Sequence, residues 1–70
     1  MSGSVECHSG YDYAERPTAF YWQGVRLQVA EIIRRWREPG QKCFQVYTED
    51  KQIFDIRYEE SEDLWLISQP

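Results

Sequence analysis

Phe20, Trp22, Leu27 and Val29 recur at every second position on the two sides of Gln23-Gly24, with Val25 at the start of the second run. A period of two puts one set of side chains on one face of a sheet, and Gly accepts the positive φ that a tight turn demands. This hairpin signature restricts the chain to β-structure at its start. No comparably strong pattern exists for chemistry.

Seventy residues form one domain at most. A chain this short buries only about 60% of the surface its unfolded form exposes, so its core has to be efficient. Three Trp, five Tyr and three Phe meet that need, because each aromatic side chain buries roughly 150–250 Å². Cys7 and Cys43 are too few for a disulfide scaffold, and one His, His8, cannot complete a four-ligand zinc site within one subunit. No cofactor or metal is expected. Without a signal peptide or long apolar run, the chain reads as soluble and cytoplasmic, with no membrane partner.

Along the chain, residues 1–14 lack sustained periodicity and are rich in Ser and Gly, which reads as a flexible arm ahead of a single β-domain at residues 15–70. Tyr11 and Tyr13, at i and i+2, leave open a docked face or an extra edge strand. Arg16-Pro17 marks the entry into order, since the residue before Pro is held extended. The first strand spans Thr18–Trp22 and the second starts at Val25.

The second strand loses phase after Val29: continued alternation would bury Glu31, whereas Ile32, Ile33 and Trp36 supply the apolar groups. A β-bulge near Ala30-Glu31 would carry Ile32 and Trp36 to the inner face and bend the strand. Alternatively, Val29, Ile32, Ile33 and Trp36 follow helical spacing over residues 29–37. The β-branched content, the missing N-cap and the short length favour the bent strand.

Glu38-Pro39-Gly40-Gln41 has the form of a type II turn. Strand three spans Lys42–Thr48, with Phe44 and Val46 on one face and Cys43, Gln45 and Tyr47 on the other. Strand four carries Phe54, Ile56 and Tyr58. Strand five spans Leu64–Ser68, with Trp65 and Ile67 inward. Leu64 and Leu66 remain on a second face, as if the N-terminal arm or another subunit covers that edge. The expected fold is all-β: a five-stranded antiparallel meander curled into a small, partly open SH3-like barrel by a long bent second strand. The alternative is α+β, with a short helix at about 29–37 on a four-stranded sheet.

Arg16-Pro17-x-x-Phe20-x-Trp22-x-Gly24, Val29-x-x-Ile32-x-x-x-Trp36-Arg37, Phe44-x-Val46-x-Thr48 and Trp65-x-Ile67 together resemble a family of small bacterial domains of unknown function. The resemblance covers residues 16–67. In some members that family lies beside proteins related to error-prone DNA polymerases, which implies a DNA-repair setting. The chain departs from it at Asp50-Lys51, where relatives often have Gly. The resemblance brings no activity, cofactor or catalytic residue.

Catalysis has one candidate pair, Cys7 and His8, whose side chains diverge and lack an orienting carboxylate, so no enzyme is expected. Glu59, Glu60, Glu62 and Asp63, with Glu49 and Asp50, lack the spacing of a calcium loop and read as solvated connections. Residues 23–42 carry a local charge of +3 and residues 43–70 a local −5. Within the basic part, Arg34, Arg35 and Arg37 flank Trp36, a combination that binds phosphate and stacks on bases. The competing reading makes Trp36 core and Arg35 and Arg37 its solvated outer face, and the net charge of −4 works against nucleic acid. A third reading is protein interaction or self-association, through a sheet edge or through Tyr21, Tyr47, Leu64 and Leu66. It asks least of the sequence. The expectation is therefore a non-enzymatic interaction module with an unknown protein partner or a second copy, the alternative being an accessory nucleic-acid-binding domain using Arg34–Arg37.

Overall fold

The structure, a computed structural model, describes residues 2–7 and 16–70. Its strands are β1 (Ser2–Gly3), β2 (Val5–Cys7), β3 (Pro17–Trp22), β4 (Val25–Glu38), β5 (Gln41–Thr48), β6 (Ile53–Glu59) and β7 (Leu64–Ser68). Strands β3 to β7 form the expected antiparallel meander, within the sheet order β1-β7-β6-β5-β4-β3-β2. No helix occurs among the described residues, and residues 29–37 belong to a strand throughout.

The turns follow from their residues. Gln23 and Gly24 both take positive φ, 51° and 81°, the pairing that defines a type I′ hairpin and matches the twist of the strands it joins. Gly40 has φ 75° after Pro39, as the third position of a type II turn requires. At the loop after β5, the Thr48 hydroxyl donates to the Asp50 carboxylate and accepts the Gln52 amide at 3.1 Å. Lys51 there has φ 69°, the conformation for which Gly is the ordinary choice.

The inner face carries Phe20, Phe44, Val46, Phe54, Ile56, Trp65 and Ile67 as one buried cluster. Phe20 and Trp22 meet Phe54 edge-on, with ring centroids 5.0 and 5.2 Å away, and Tyr58 lies 4.9 Å from Trp65. Edge-to-face pairs of this kind add about 0.5–1.5 kcal/mol each beyond the area they bury. Val25, expected in line with Leu27 and Val29, is 58% exposed because it stands beside the turn, at the rim.

Residues 2–7 correct the reading of a free arm for that segment. Ser2 and Gly3 pair with Leu66 and Trp65 of β7, while Val5, Glu6 and Cys7 pair with Phe20, Ala19 and Pro17 of β3. Only Ser4 separates the two strands, and its carbonyl accepts the Tyr21 amide at 3.0 Å. One short segment therefore spans both margins of the curled sheet and makes it barrel-like. The β7 margin beside Leu66 is covered by the chain itself. Residues 8–14 of the expected arm, with His8, Tyr11 and Tyr13, lie outside the described residues.

Replacing Gly24 with Ala tests the hairpin. Nothing stands within 4 Å of the added Cβ, so the cost is purely conformational, about 1–2 kcal/mol. Thermal unfolding of Gly24→Ala is expected to fall by roughly 4–8 °C for each kcal/mol lost, on the scale for a domain of this size. An unchanged midpoint would contradict the assigned turn.

Candidate functional site

Strand β4 pairs with two neighbours along different stretches. Val25–Gln28 face β3, and Val29–Glu38 face β5, with register shifts between Val29 and Glu31 and between Ile32 and Arg34. The first shift is the bulge expected near Ala30-Glu31. The second, which sets Ile33 out of register, was not foreseen, and it reverses the phase of everything after it.

Residues opposite one another in an antiparallel pair share a face. Ile32 stands opposite Val46 and joins the core side. Trp36 stands opposite Cys43, in an outer row that continues through Arg57 to Leu66. The expectation that Trp36 is inward core is therefore corrected: two bulges, not one, turn it outward together with Arg34. Arg35 and Arg37, expected on the outer face, stand opposite Phe44 and Lys42 on the other side. Both are exposed, at the margin of the sheet.

Several outward side chains satisfy one another. The Arg34 guanidinium lies 4.6 Å from the centre of the Trp36 ring, a cation–π contact. The Trp36 indole donates to Glu38 at 2.9 Å, and Arg57 donates to Glu38 and Gln41 at 3.3 and 3.2 Å. Gln41 in turn donates to Glu59. Beneath this layer Cys43 is 1% exposed, and burial pushes its thiol above the ordinary range.

The arginines divide into two groups. Arg26 pairs with Glu6 at 2.8 Å, Arg37 with Glu60 at 2.7 Å and Arg57 with Glu38 at 3.3 Å. Arg16, Arg34 and Arg35 are exposed and, among the described residues, have no carboxylate within ion-pair distance. These three line an open groove of about 430 Å³ beside β4, with Glu31 the acidic residue among its described walls and Ile33, 41% exposed, among its apolar ones.

The groove follows from the pairing. Beyond Gln28 no described strand pairs with the second edge of β4, so residues 30–38 have no ladder partner on that side among the described residues. Arg34 to Glu38 run opposite Gln45 to Gln41 in unbroken register, giving that stretch regular strand geometry. Sequence reasoning found Arg34 and Arg35 but missed Arg16 and the open edge. The Ile32-Ile33 doublet carried the missing signal, because adjacent apolar residues cannot share a face without an extra residue between the phases.

Tyr21, Tyr47, Leu64 and Leu66 do not form the single apolar patch expected of them. They sit on β3, β5 and β7 with β4 and β6 between, and their row neighbours include Arg26, Glu31, Glu59 and Arg57. Leu66 is also flanked by Ser2. Tyr21 is 43% and Leu64 36% exposed. Among the described residues no cluster of His, Cys, Asp and Glu is arranged to hold a metal ion, and no helix is long and apolar enough to cross a membrane.

These features define a small all-β, barrel-like domain with a strand edge that has no partner among the described residues and is bordered by arginine. No protein-family profile, curated protein or solved structure matches the chain.

Two measurements check this electrostatic and burial pattern. Glu6 is held below the ordinary carboxylate value by Arg26, Glu38 by the Trp36 indole and then Arg57, and Asp50 by Thr48 and then Gln52. A carboxylate with a depressed folded-state pKa contributes stability above its unfolded value, near 4.5 for Glu and 3.8 for Asp, and loses it as pH falls through the folded value. Denaturant midpoints are therefore expected to decline below about pH 4.5, less steeply in Asp50→Asn; equal slopes would count against the Asp50 contacts. Separately, Cys43 is expected to resist thiol reagents until the domain is unfolded by denaturant, and rapid labelling of native Cys43 would refute its burial.

Proposed function

We propose that this chain is a non-enzymatic protein-interaction module that receives an extended polypeptide along the open edge of β4. The observation that carries this reading is the backbone at residues 30–38, which has no ladder partner on one side among the described residues, beside a groove with Ile33 exposed in its wall. A strand added to a sheet edge gains main-chain hydrogen bonds, and the side chains around it supply selectivity. Such binding uses no cofactor and no reacting group. In this reading the domain works in the bacterial cytoplasm, as its sequence resemblance and its lack of a long apolar run imply.

Nucleic-acid binding through Arg34–Arg37 is the weaker reading. Trp36 is already covered by Arg34 and its indole N–H is already taken by Glu38, so the ring is a poor platform for a base. Arg37 is neutralised by Glu60.

Replacing Ile33 with Glu tests the edge. The side chain is exposed, so the fold is expected to survive with a thermal midpoint close to that of the parent. Proteins retained from a cell extract by the immobilised parent domain are expected to be lost with Ile33→Glu. An identical retained set for both would overturn docking at this edge.

A further inference from the structure

We infer that the strand received by β4 is acidic, with carboxylates at positions that reach Arg34 and Arg35. This rests on the edge-docking reading above and specifies the chemistry of its partner.

The argument begins with the charges the domain leaves over. The chain has twelve acidic and eight basic side chains, so acids are in excess and internal partners for arginine are plentiful. Arg26, Arg37 and Arg57 use them. Among the described residues Arg16, Arg34 and Arg35 find none, and all three line a groove that borders this edge of β4. A cationic groove on an anionic molecule draws anionic ligands to that site and repels them elsewhere, which gives a partner its orientation as well as its attraction.

The geometry then selects among anions. Arg34 and Arg35 are consecutive and project to opposite faces of β4, Arg34 beside Trp36 and Arg35 opposite Phe44. An added strand alternates its side chains in the same way, so neighbouring carboxylates along it meet Arg34 on one face and Arg35 on the other. Arg forks bind carboxylate with two parallel N–H donors, which adds direction to the attraction. A phosphodiester chain could satisfy the arginines but has no amide and carbonyl row to complete the β4 ladder. The edge and the arginines together therefore favour polypeptide.

Self-association through this edge is a poorer fit. A second copy would bring its own Arg34 and Arg35 to the same interface, against Glu31 as the acidic residue among the groove's described walls, leaving like charges facing one another across the new pair.

Titration by two-dimensional NMR tests the proposal, using a short capped peptide with an adjacent Glu-Glu pair set between Val residues, its Lys-Lys counterpart, and a short oligothymidine. The Glu peptide is expected to shift the backbone amides of residues 30–38, to weaken as ionic strength rises toward about 0.15 M, and to bind about tenfold less well to the double variant Arg34→Glu, Arg35→Glu. That variant is expected to keep the parental spectrum outside β4 and to prefer the Lys peptide. If both peptides shift β4 equally in the parent, the acidic specificity is wrong and edge docking stands. If neither peptide moves the β4 amides, edge docking fails as well. Arginine-dependent binding of oligothymidine in place of the Glu peptide would overturn the proposal in favour of nucleic acid.

Discussion

The structure depends on β4 having to serve two neighbours on opposite edges. Over Val25–Gln28 its partner is β3; over Val29–Glu38 it is β5. A flat strand of this length would lay both partners into one open sheet and leave the aromatic face half covered. The register shifts around Ala30 and Ile33 bend and twist the strand, because an extra residue on one side of a ladder shortens its opposite side. That curvature brings Phe20 and Trp22 on β3 against Phe54 on β6, two strands beyond β4 in the sheet.

The same bend creates the unused edge. Once β4 turns away from β3, nothing described follows it on that side, and its charges take over the protective role that a neighbouring strand would have filled. Glu31, Arg34, Arg35 and Arg37 are residues that keep an exposed strand from pairing indiscriminately. Selective docking and resistance to aggregation are thus compatible here: a bulged, charged margin rejects apolar strands while leaving the regular stretch from Arg34 to Glu38 open to one with opposite charge.

Much of this architecture was legible because alternation and turn chemistry are local. Gln23-Gly24 and Pro39-Gly40 fixed two hairpins, and Phe44, Val46, Phe54, Ile56, Trp65 and Ile67 took the inward positions that their spacing implied. The bulge after Val29 was also readable, since Glu31 could not be inside. What escaped was cumulative phase. A second inserted residue at Ile33 turns Trp36 and Arg34 outward and moves Arg35 and Arg37 to the other face, and apolar counts alone do not distinguish one insertion from two. The pairing of Ser2–Cys7 was hidden for another reason: strands of two and three residues, Ser2–Gly3 and Val5–Cys7, carry almost no periodicity, and their geometry is set by the margins they join. The candidate site suffered from the first effect, because two of its arginines lie on β4 beyond the second shift, while Arg16 joins them from just before β3.

The N-terminal bridge has a kinetic implication. Every hairpin of the meander closes a short loop, whereas Ser2 opposite Leu66 joins residues at nearly the full separation of the chain. Loop closure of that length costs more chain entropy than any of the turns and is repaid by only a few ladder bonds. Pairing of β1 with β7 is accordingly expected to form late in folding, and its release to be a low-energy excursion from the native state. Amide hydrogens along the facing backbone of β7 then exchange through this partial opening, long before those of β5 and β6 in the middle of the sheet.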